Sequence, residues 1–403
     1  MMREPGAEAW AALRRTTEAL AHEIARPSDR TPEWSEDEWL IARAAASMHG
    51  VSPLLARTSK WRGPPGWQAF LDEQLAHTIE RHARIEALLK TLGESGIALV
   101  ALKGPALHAR GLYRAGERPM ADIDLLARDE DAERTTKFLE RLGFSETYRY
   151  WKNRIFERQD ARPPEVFGEH AGNVLKIDLH TCISEKLPMR AMEITELVFP
   201  QEPRAGINPY PSHAVLLTHL LLHAAGSICV RALRLLHMID IARLCAVMAA
   251  ADWEEFLRPG RSLWWAFPPL ALTARYFDSV PERVLEHEVL VCSRPLRYFT
   301  RRQTLTDVSL SNPRLTAFPG IEWAGSVAEA LAYVKSRVAP DDDAIVQRKY
   351  LAQTQPSLRA NAWQESSQGR RILRWLIERP PRPEPLFALR TALNQCREAR
   401  ISA

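Results

Sequence analysis

Cysteine is scarce and scattered. The five thiols, Cys182, Cys229, Cys245, Cys292 and Cys396, are odd in number, far apart and never spaced as C-x-x-C. That argues against a disulfide framework or a zinc ribbon and for a reducing compartment. Long apolar runs are missing too: the most apolar stretch, AVLLTHLLLHAAGSICV, is too short for a membrane span and carries two histidines. It reads as a core helix. The opening MMREPGAEAWAALRRTTEAL has no apolar signal-peptide region, so the expected location is the cytoplasm, with no membrane partner. An excess of one charge is also absent, since 54 basic and 50 acidic residues leave a net of +4. This gives no strong nucleic-acid signature, yet mild basicity suits a site that receives phosphates. No internal repeat of fixed period is found.

The chain does have length: 403 residues, 46% hydrophobic and 26% charged, suffice for two or three cores. Residues 1–93 read as a helical region. In WQAFLDEQLAHTIERHARIEALLKTLGESG, the residues Leu71, Leu75, Ile79, Ile85, Leu88, Leu89 and Leu92 make an apolar stripe that Gly93 and Gly96 end. The pattern then changes. IALVALKG is a short apolar run closed by a glycine, PALHARGLY resumes helical spacing, and ADIDLLA reads as a strand followed by the helix DEDAERTTKFLERLGF. SETYRYW and NRIFERQ suit a hairpin, and NVLKIDLHTCI is the last strand-like run. Residues 94–187 are thus a compact α/β unit, 188–335 a helical domain and 336–403 a C-terminal helical extension. The fold class expected is α+β and α-rich, a small mixed β-sheet core between helical flanks.

Three pieces of the α/β unit carry chemistry. In LKGPAL a strand meets Lys103 and Gly104 and then a helix. A glycine at such a turn lets backbone N–H groups approach a phosphate, and Lys103 adds a positive charge. Asp122 and Asp124 flank Ile123, so alternation puts both carboxylates on one face of a strand. They repel unless a cation sits between them, and paired aspartates suit a two-metal site with ions roughly 3.5–4 Å apart. The plainer alternative is an edge strand with solvated aspartates. Asp178 in LKIDLH shares a face with Lys176 and His180; it could hold the second metal or accept a proton, or could simply lie at a sheet edge facing water.

ALKGPALHARGLYRAGERPMADIDLLA followed by IDLH resembles the nucleotidyltransferase superfamily that includes DNA polymerase beta and kanamycin nucleotidyltransferase. Within it, the leucine-lysine-glycine motif and the R-x-x-x-D-I-D-L-L block are most similar to a group of largely uncharacterised bacterial nucleotidyltransferases. The later HLLLHAAGSICVRALRLLHMIDIARL and ADWEEFL resemble that group's helical region, so the likeness covers roughly 85–290. Better-known relatives have Gly-Ser where this chain has Lys103-Gly104. The resemblance implies a nucleotidyltransferase-type core with Asp122, Asp124 and Asp178 as catalytic residues and ligands for Mg²⁺ or Mn²⁺. It also implies Lys103 and Gly104 at the nucleotide phosphates, with Arg118 pairing with a phosphate, orienting Asp122 or forming a structural ion pair.

The activity so implied is transfer of a nucleoside monophosphate, AMP from ATP first among the candidates, onto a hydroxyl or similar acceptor, with release of pyrophosphate. The acceptor is unknown: a small molecule, a peptide natural product, a protein, or a transfer RNA as in the nucleotidyltransferase toxins. A catalytically inactive nucleotide-binding module and a helical interaction scaffold are the other readings. His219 and His223 have i, i+4 metal-binding spacing, but no H-E-x-x-H pattern or third ligand completes a zinc site. They read instead as packing against the α/β unit, and with His180 as lining for an acceptor pocket, with Arg234 and Asp240 in polar contact. Asp341–Asp343 after Pro340 read as a charged helix start, and Trp264-Trp265 as core.

Overall fold

Gly96, at φ 71°, turns the chain out of a long helix and into the apolar run where the sheet begins. A computed structural model of the chain describes residues 5–150, 152–158, 170, 173–314, 316–354, 356–359, 367–378 and 380–401. Helices α1 (Ala7–Ala25), α2 (Glu36–Met48), α3 (Ser52–Thr58) and α4 (Pro65–Gly93) precede strand β1 (Ala98–Ala101), the short α5 (Gly104–Ala109) and β2 (Ile123–Ala127). Next come α6 (Ala132–Arg141), β3 (Phe144–Arg149), β4 (Asn153–Arg158) and β5 (Lys176–His180). They are followed by β6 (Ser184–Leu187), β7 (Arg190–Glu193), α7 (Thr195–Val198), β8 (Gly206–Asn208), α8 (His213–Cys229) and α9 (Leu235–Val247). Further helices continue to Ile401. None of the described helices is long and apolar enough to cross a membrane. Cys182, Cys229, Cys245 and Cys292 are free thiols; the side chain of Cys396, the last residue of SETYRYW (Trp151) and the last of NRIFERQ (Gln159) lie outside what is described.

Six strands form one mixed sheet in the order β3-β4-β5-β2-β1-β8, and β6 and β7 pair apart. The expected mixed sheet between helical flanks is therefore present. β3 and β4 form the expected hairpin, β2 and β5 run parallel, and β1 lies antiparallel to β2. IDLH is not the last strand: β6, β7 and β8 follow. The three-residue β8 (GIN) is too short to show a period; it pairs in parallel with β1, and Asn208 Nδ2 adds a bond to the Leu99 carbonyl (3.2 Å). Both aspartate strands are interior, with β2 between β5 and β1 and β5 between β4 and β2. This excludes the sheet-edge readings of Asp124 and Asp178.

Alternation along these strands separates two cores. Leu99, Ile123, Leu125, Ile177 and Leu179 face α4 and α6, in a cluster that includes Ile85, Leu92 and Leu139. Val100 and Leu126 join the larger helical core built around α8 and α9. Asp124, Asp178 and His180 belong to that second face.

The stripe expected on α4 holds only at its ends. The buried face runs through Leu71, Gln74, Thr78, Arg81, His82 and Ile85, whereas Ile79 is 40% exposed. The middle of α4 meets loop backbone rather than a core, and backbone carbonyls want donors.

His49, just past α2, ties three regions together. Its Nδ1 accepts from the Leu235 N–H (3.0 Å), which leaves Nε2–H to donate to Ser311 Oγ (2.9 Å); Ser311 in turn bonds Thr17 Oγ1 (2.7 Å). Full burial, with Arg234 nearby, pulls the His49 pKa down to about 3. The unfolded chain then binds a proton below about pH 6.5 that the folded chain refuses, so stability falls as pH drops from there toward 3. From pH 7 to 5 the loss due to this ring alone is about 2 kcal/mol. Urea denaturation at both pH values should show the wild-type difference shrinking by about that much in His49→Gln. An unchanged difference would contradict the role assigned to the ring.

Candidate active site

β2 and β5 run parallel in a register that sets Asp124 opposite Asp178 and Leu126 opposite His180. Neighbouring strands lie about 4.8 Å apart, so the two carboxylates meet side by side. The entrances to both strands are held by one side chain. Arg81, buried on α4, donates from Nε to the Met120 carbonyl (2.8 Å), from Nη1 to Asn173 (2.8 Å) and from Nη2 to Ala121 (2.7 Å) and Val174 (3.2 Å). A rigid guanidinium fork thus locks the Met120–Ala121 loop against the Asn173–Val174 loop, which fixes the spacing of the carboxylates beyond them.

Lys103 ends the β1 side. Its backbone sits at φ 50°, ψ −109°, an uncommon conformation for a residue with a Cβ. Bonds on either side hold it there: Leu102 N–H donates to the Asp124 carbonyl (2.9 Å), and Lys103 N–H to Tyr210 Oη (3.4 Å), which bonds His219 Nδ1 (2.7 Å). The result aims the ammonium at the sheet, with Nζ 3.2 Å from Asp124 Oδ2. His180 Nε2 lies 3.0 Å from the other oxygen, Oδ1.

The electrostatics follow. Burial alone would raise the Asp124 pKa, but Lys103 and His180 outweigh it and hold this carboxyl far below the usual range. Among the described residues Asp178 has no such partner; burial, then Asp122 and Asp124, push it up to about 8. Asp122 precedes β2 rather than lying in it and opens to the cleft. The enclosing walls and the Asp124 charge still raise its pKa. For Lys103, burial opposes the charge, but Asp124 and Asp122 prevail and its pKa rises.

A cleft of about 310 Å³ opens above these groups. One wall is Lys103, Gly104 and the Arg118–Asp122 segment; the other is Leu220, His223 and Ser227 of α8 with Arg234 and His237. Gly104 lines it, and a Cβ there would lie 2.4 Å from Arg118 Nη1 and 2.9 Å from Met120 Sδ, so close packing demands the glycine. Arg118 makes a bidentate pair with Asp240 (Nε–Oδ1 2.8 Å, Nη2–Oδ2 2.7 Å), and Tyr113 Oη donates to the same carboxylate (2.7 Å). The charge on Asp240 is therefore taken by Arg118, not shared with Arg234. His223 stands in the wall, edge-on to His237 at 4.8 Å, with Nδ1 3.8 Å from Glu185. His219 is behind that wall on Tyr210, 4% exposed.

Among the described residues, Asp124, Asp178 and His180 offer ligand atoms that all lie within 4.8 Å of one another. Two carboxylate oxygens and an imidazole nitrogen suit a divalent cation. The expected set, Asp122, Asp124 and Asp178, is thus gathered in part: His180 joins the cluster and Asp122 stands beside it.

The family model described as uncharacterised nucleotidyltransferase matches residues 35–276, more than half the chain. The chain belongs to that family. Neither the curated proteins nor the solved structures contain a match to it. This nucleotidyltransferase is accordingly a transferase of phosphorus-containing groups, and the matched span holds the whole sheet, α8, α9 and every residue lining the cleft. Arg81, Tyr210, Glu185 and His237 escape the reading of the sequence, which places Arg234 near the acceptor pocket but pairs it with Asp240, the partner of Arg118. Only Arg81 left a trace there, as an arginine in phase with Leu71, Gln74, Thr78 and Ile85 on one helix face.

Because Lys103 already neutralises Asp124, it competes with any cation for that carboxylate. Mn²⁺ titrated into the nucleotide-free protein should bind Lys103→Ala about tenfold more tightly than wild type, and Asp124→Asn not measurably. Equal affinity in Lys103→Ala and wild type would rule the competition out.

Proposed function

We propose that this nucleotidyltransferase moves a nucleoside monophosphate, AMP from ATP as the leading candidate, to an acceptor hydroxyl on a small molecule or peptide. The observation that carries the reading is the in-register pairing of Asp124 with Asp178 beneath an open cleft, with Lys103 as the internal counter-charge. Asp124, Asp178 and His180, with Asp122 at the rim, would hold Mg²⁺ or Mn²⁺. When bound, the cation would neutralise charge building on the α-phosphate and the leaving pyrophosphate.

The protein's own groups do the rest. Lys103, which now sits on Asp124, would serve phosphate oxygens wherever that carboxylate is taken up as a ligand. Arg234 is exposed at the cleft and pairs with no acid among the described residues, and it is assigned to the same triphosphate. Arg118 keeps Asp240 and shapes the floor beneath Gly104. The acceptor oxygen forms its bond to the α-phosphorus as the bond to pyrophosphate breaks, and the hydroxyl proton passes to the Asp178 carboxylate once that group has given up its own. His223 and His180 line the acceptor's approach, with residues 188–335 closing over the 94–187 unit. Transfer of this kind rests on positioning and charge neutralisation, which these residues can supply.

The test is to incubate the protein with each α-labelled ribonucleoside triphosphate, Mg²⁺ and a cell extract, beside Asp124→Ala. Wild type should label one acceptor class with one nucleotide preferred, and the variant should fall by about a thousandfold or more, the several kcal/mol such a site provides. Labelling of equal extent by both proteins would refute the mechanism.

A further inference from the structure

Past the residues that match the family, three helices build a second pocket that shares no residue with the catalytic cleft. Val327–Val338 supplies Arg337, Asp342–Thr354 supplies Arg348 and Gln368–Glu378 supplies Arg371. The cavity is about 310 Å³, and Phe318, Ile372 and Trp375 form its apolar side. The Phe318 and Trp375 rings meet edge to face at 6.3 Å. The helix start expected at Asp341–Asp343 is present, with Asp341 Oδ1 accepting from Ala344 N–H (2.8 Å). That carboxylate is therefore spent on its own helix end.

The three guanidiniums are hydrogen-bonded only to neutral oxygens among the described residues. Arg371 Nη2 (2.6 Å) and Arg348 Nη1 (3.2 Å) both donate to Gln368 Oε1, and Arg337 Nε donates to the Ala317 carbonyl (3.3 Å). An amide oxygen satisfies an N–H but leaves the charge in place. Arg371 is 9% exposed, so its charge is not simply relieved by water. Burial first, then Arg348 and Arg337, draws its pKa down to about 10. The contrast with Arg118 is direct: that buried guanidinium has Asp240 in bidentate contact. Three like charges gathered without a counter-charge disfavour one another, and an anion reverses the sign of the interaction. Guanidinium forks match phosphate oxygens, a dianion answers three positive charges better than a carboxylate does, and the ring-lined side asks for an apolar body.

We propose that this pocket binds an aromatic phosphate monoester, with Arg337, Arg348 and Arg371 on the phosphate and Phe318 and Trp375 against the ring. The ligand sits near the sheet without entering the catalytic cleft. On the helix that carries Arg348, Tyr350 stacks on Tyr148 of β3 with ring centroids 3.9 Å apart.

Calorimetric titration of the full chain, free of nucleotide and divalent cation, uses four probes: phenyl phosphate, benzoate, inorganic phosphate and phenol. Phenyl phosphate should bind one to one, with each of the others weaker by about tenfold or more. Arg348→Ala and Arg371→Ala should each weaken phenyl phosphate by about tenfold or more, and Lys103→Ala should leave it unchanged. Since Arg371 is buried, the half-exposed Arg348 carries the test, read beside its melting temperature. Absence of phenyl phosphate binding, binding untouched by Arg348→Ala in a folded protein, or loss of binding in Lys103→Ala would each overturn the proposal. Benzoate binding as tightly as phenyl phosphate would overturn the phosphate assignment.

Discussion

Two carboxylates side by side on adjacent central strands cannot both stay ionised without a positive charge between them, and the middle of this molecule is arranged around that constraint. Lys103 answers it for Asp124; Asp178 is left to hold its proton to about pH 8. The answer requires a lysine backbone in the left-handed region, so Tyr210 and His219 exist at their positions to hold it. It also requires the strands to keep their register while charge changes on them. Arg81 does that from outside the sheet, by joining the two loops through which the strands enter.

The arginines around the site divide by what they bond. Arg118 has a buried carboxylate in bidentate contact, which fixes the Tyr113–Asp240 region and neutralises its charge. Arg81 has backbone carbonyls, which orient without neutralising. Arg234 faces the cleft with its charge unmatched among the described residues. Identical side chains thus serve packing, registration and recognition, and only the acceptor distinguishes them. A sequence motif such as R-x-x-x-D-I-D cannot, because Asp240 lies 122 residues away from Arg118.

This is also why legibility was uneven. DID and IDLH were readable because period-two alternation puts polar residues on one face of otherwise apolar strands, and LKG because a glycine at a strand end marks a turn. The mixed sheet between helices followed from the same patterns. Strand order did not: that β2 and β5 are interior, with their carboxylates in register, depends on pairings over fifty residues apart that no local pattern encodes. The α4 stripe misled because apolar spacing signals a core, whereas the middle of this helix buries polar groups against loops. The sequence reads His180 only as lining for the acceptor; its bond to Asp124, which depends on the pairing of β2 with β5, makes it part of the charged cluster as well.

The α/β unit alone does not make the site. Residues 98–180 bring the carboxylates and Lys103, but Arg81 comes from α4, Tyr210 and His219 from beyond the sheet, and the opposite wall from α8 and the start of α9. Removing the flanks would free both loop entrances, release the Lys103 backbone and open the carboxylates to bulk water, where their charges are screened and the lysine is no longer needed. The extent of the family match, from residue 35 to 276, agrees with that dependence: it takes in the helices on both sides along with the sheet. The functional unit is therefore the sheet together with the helices that hold its charges apart.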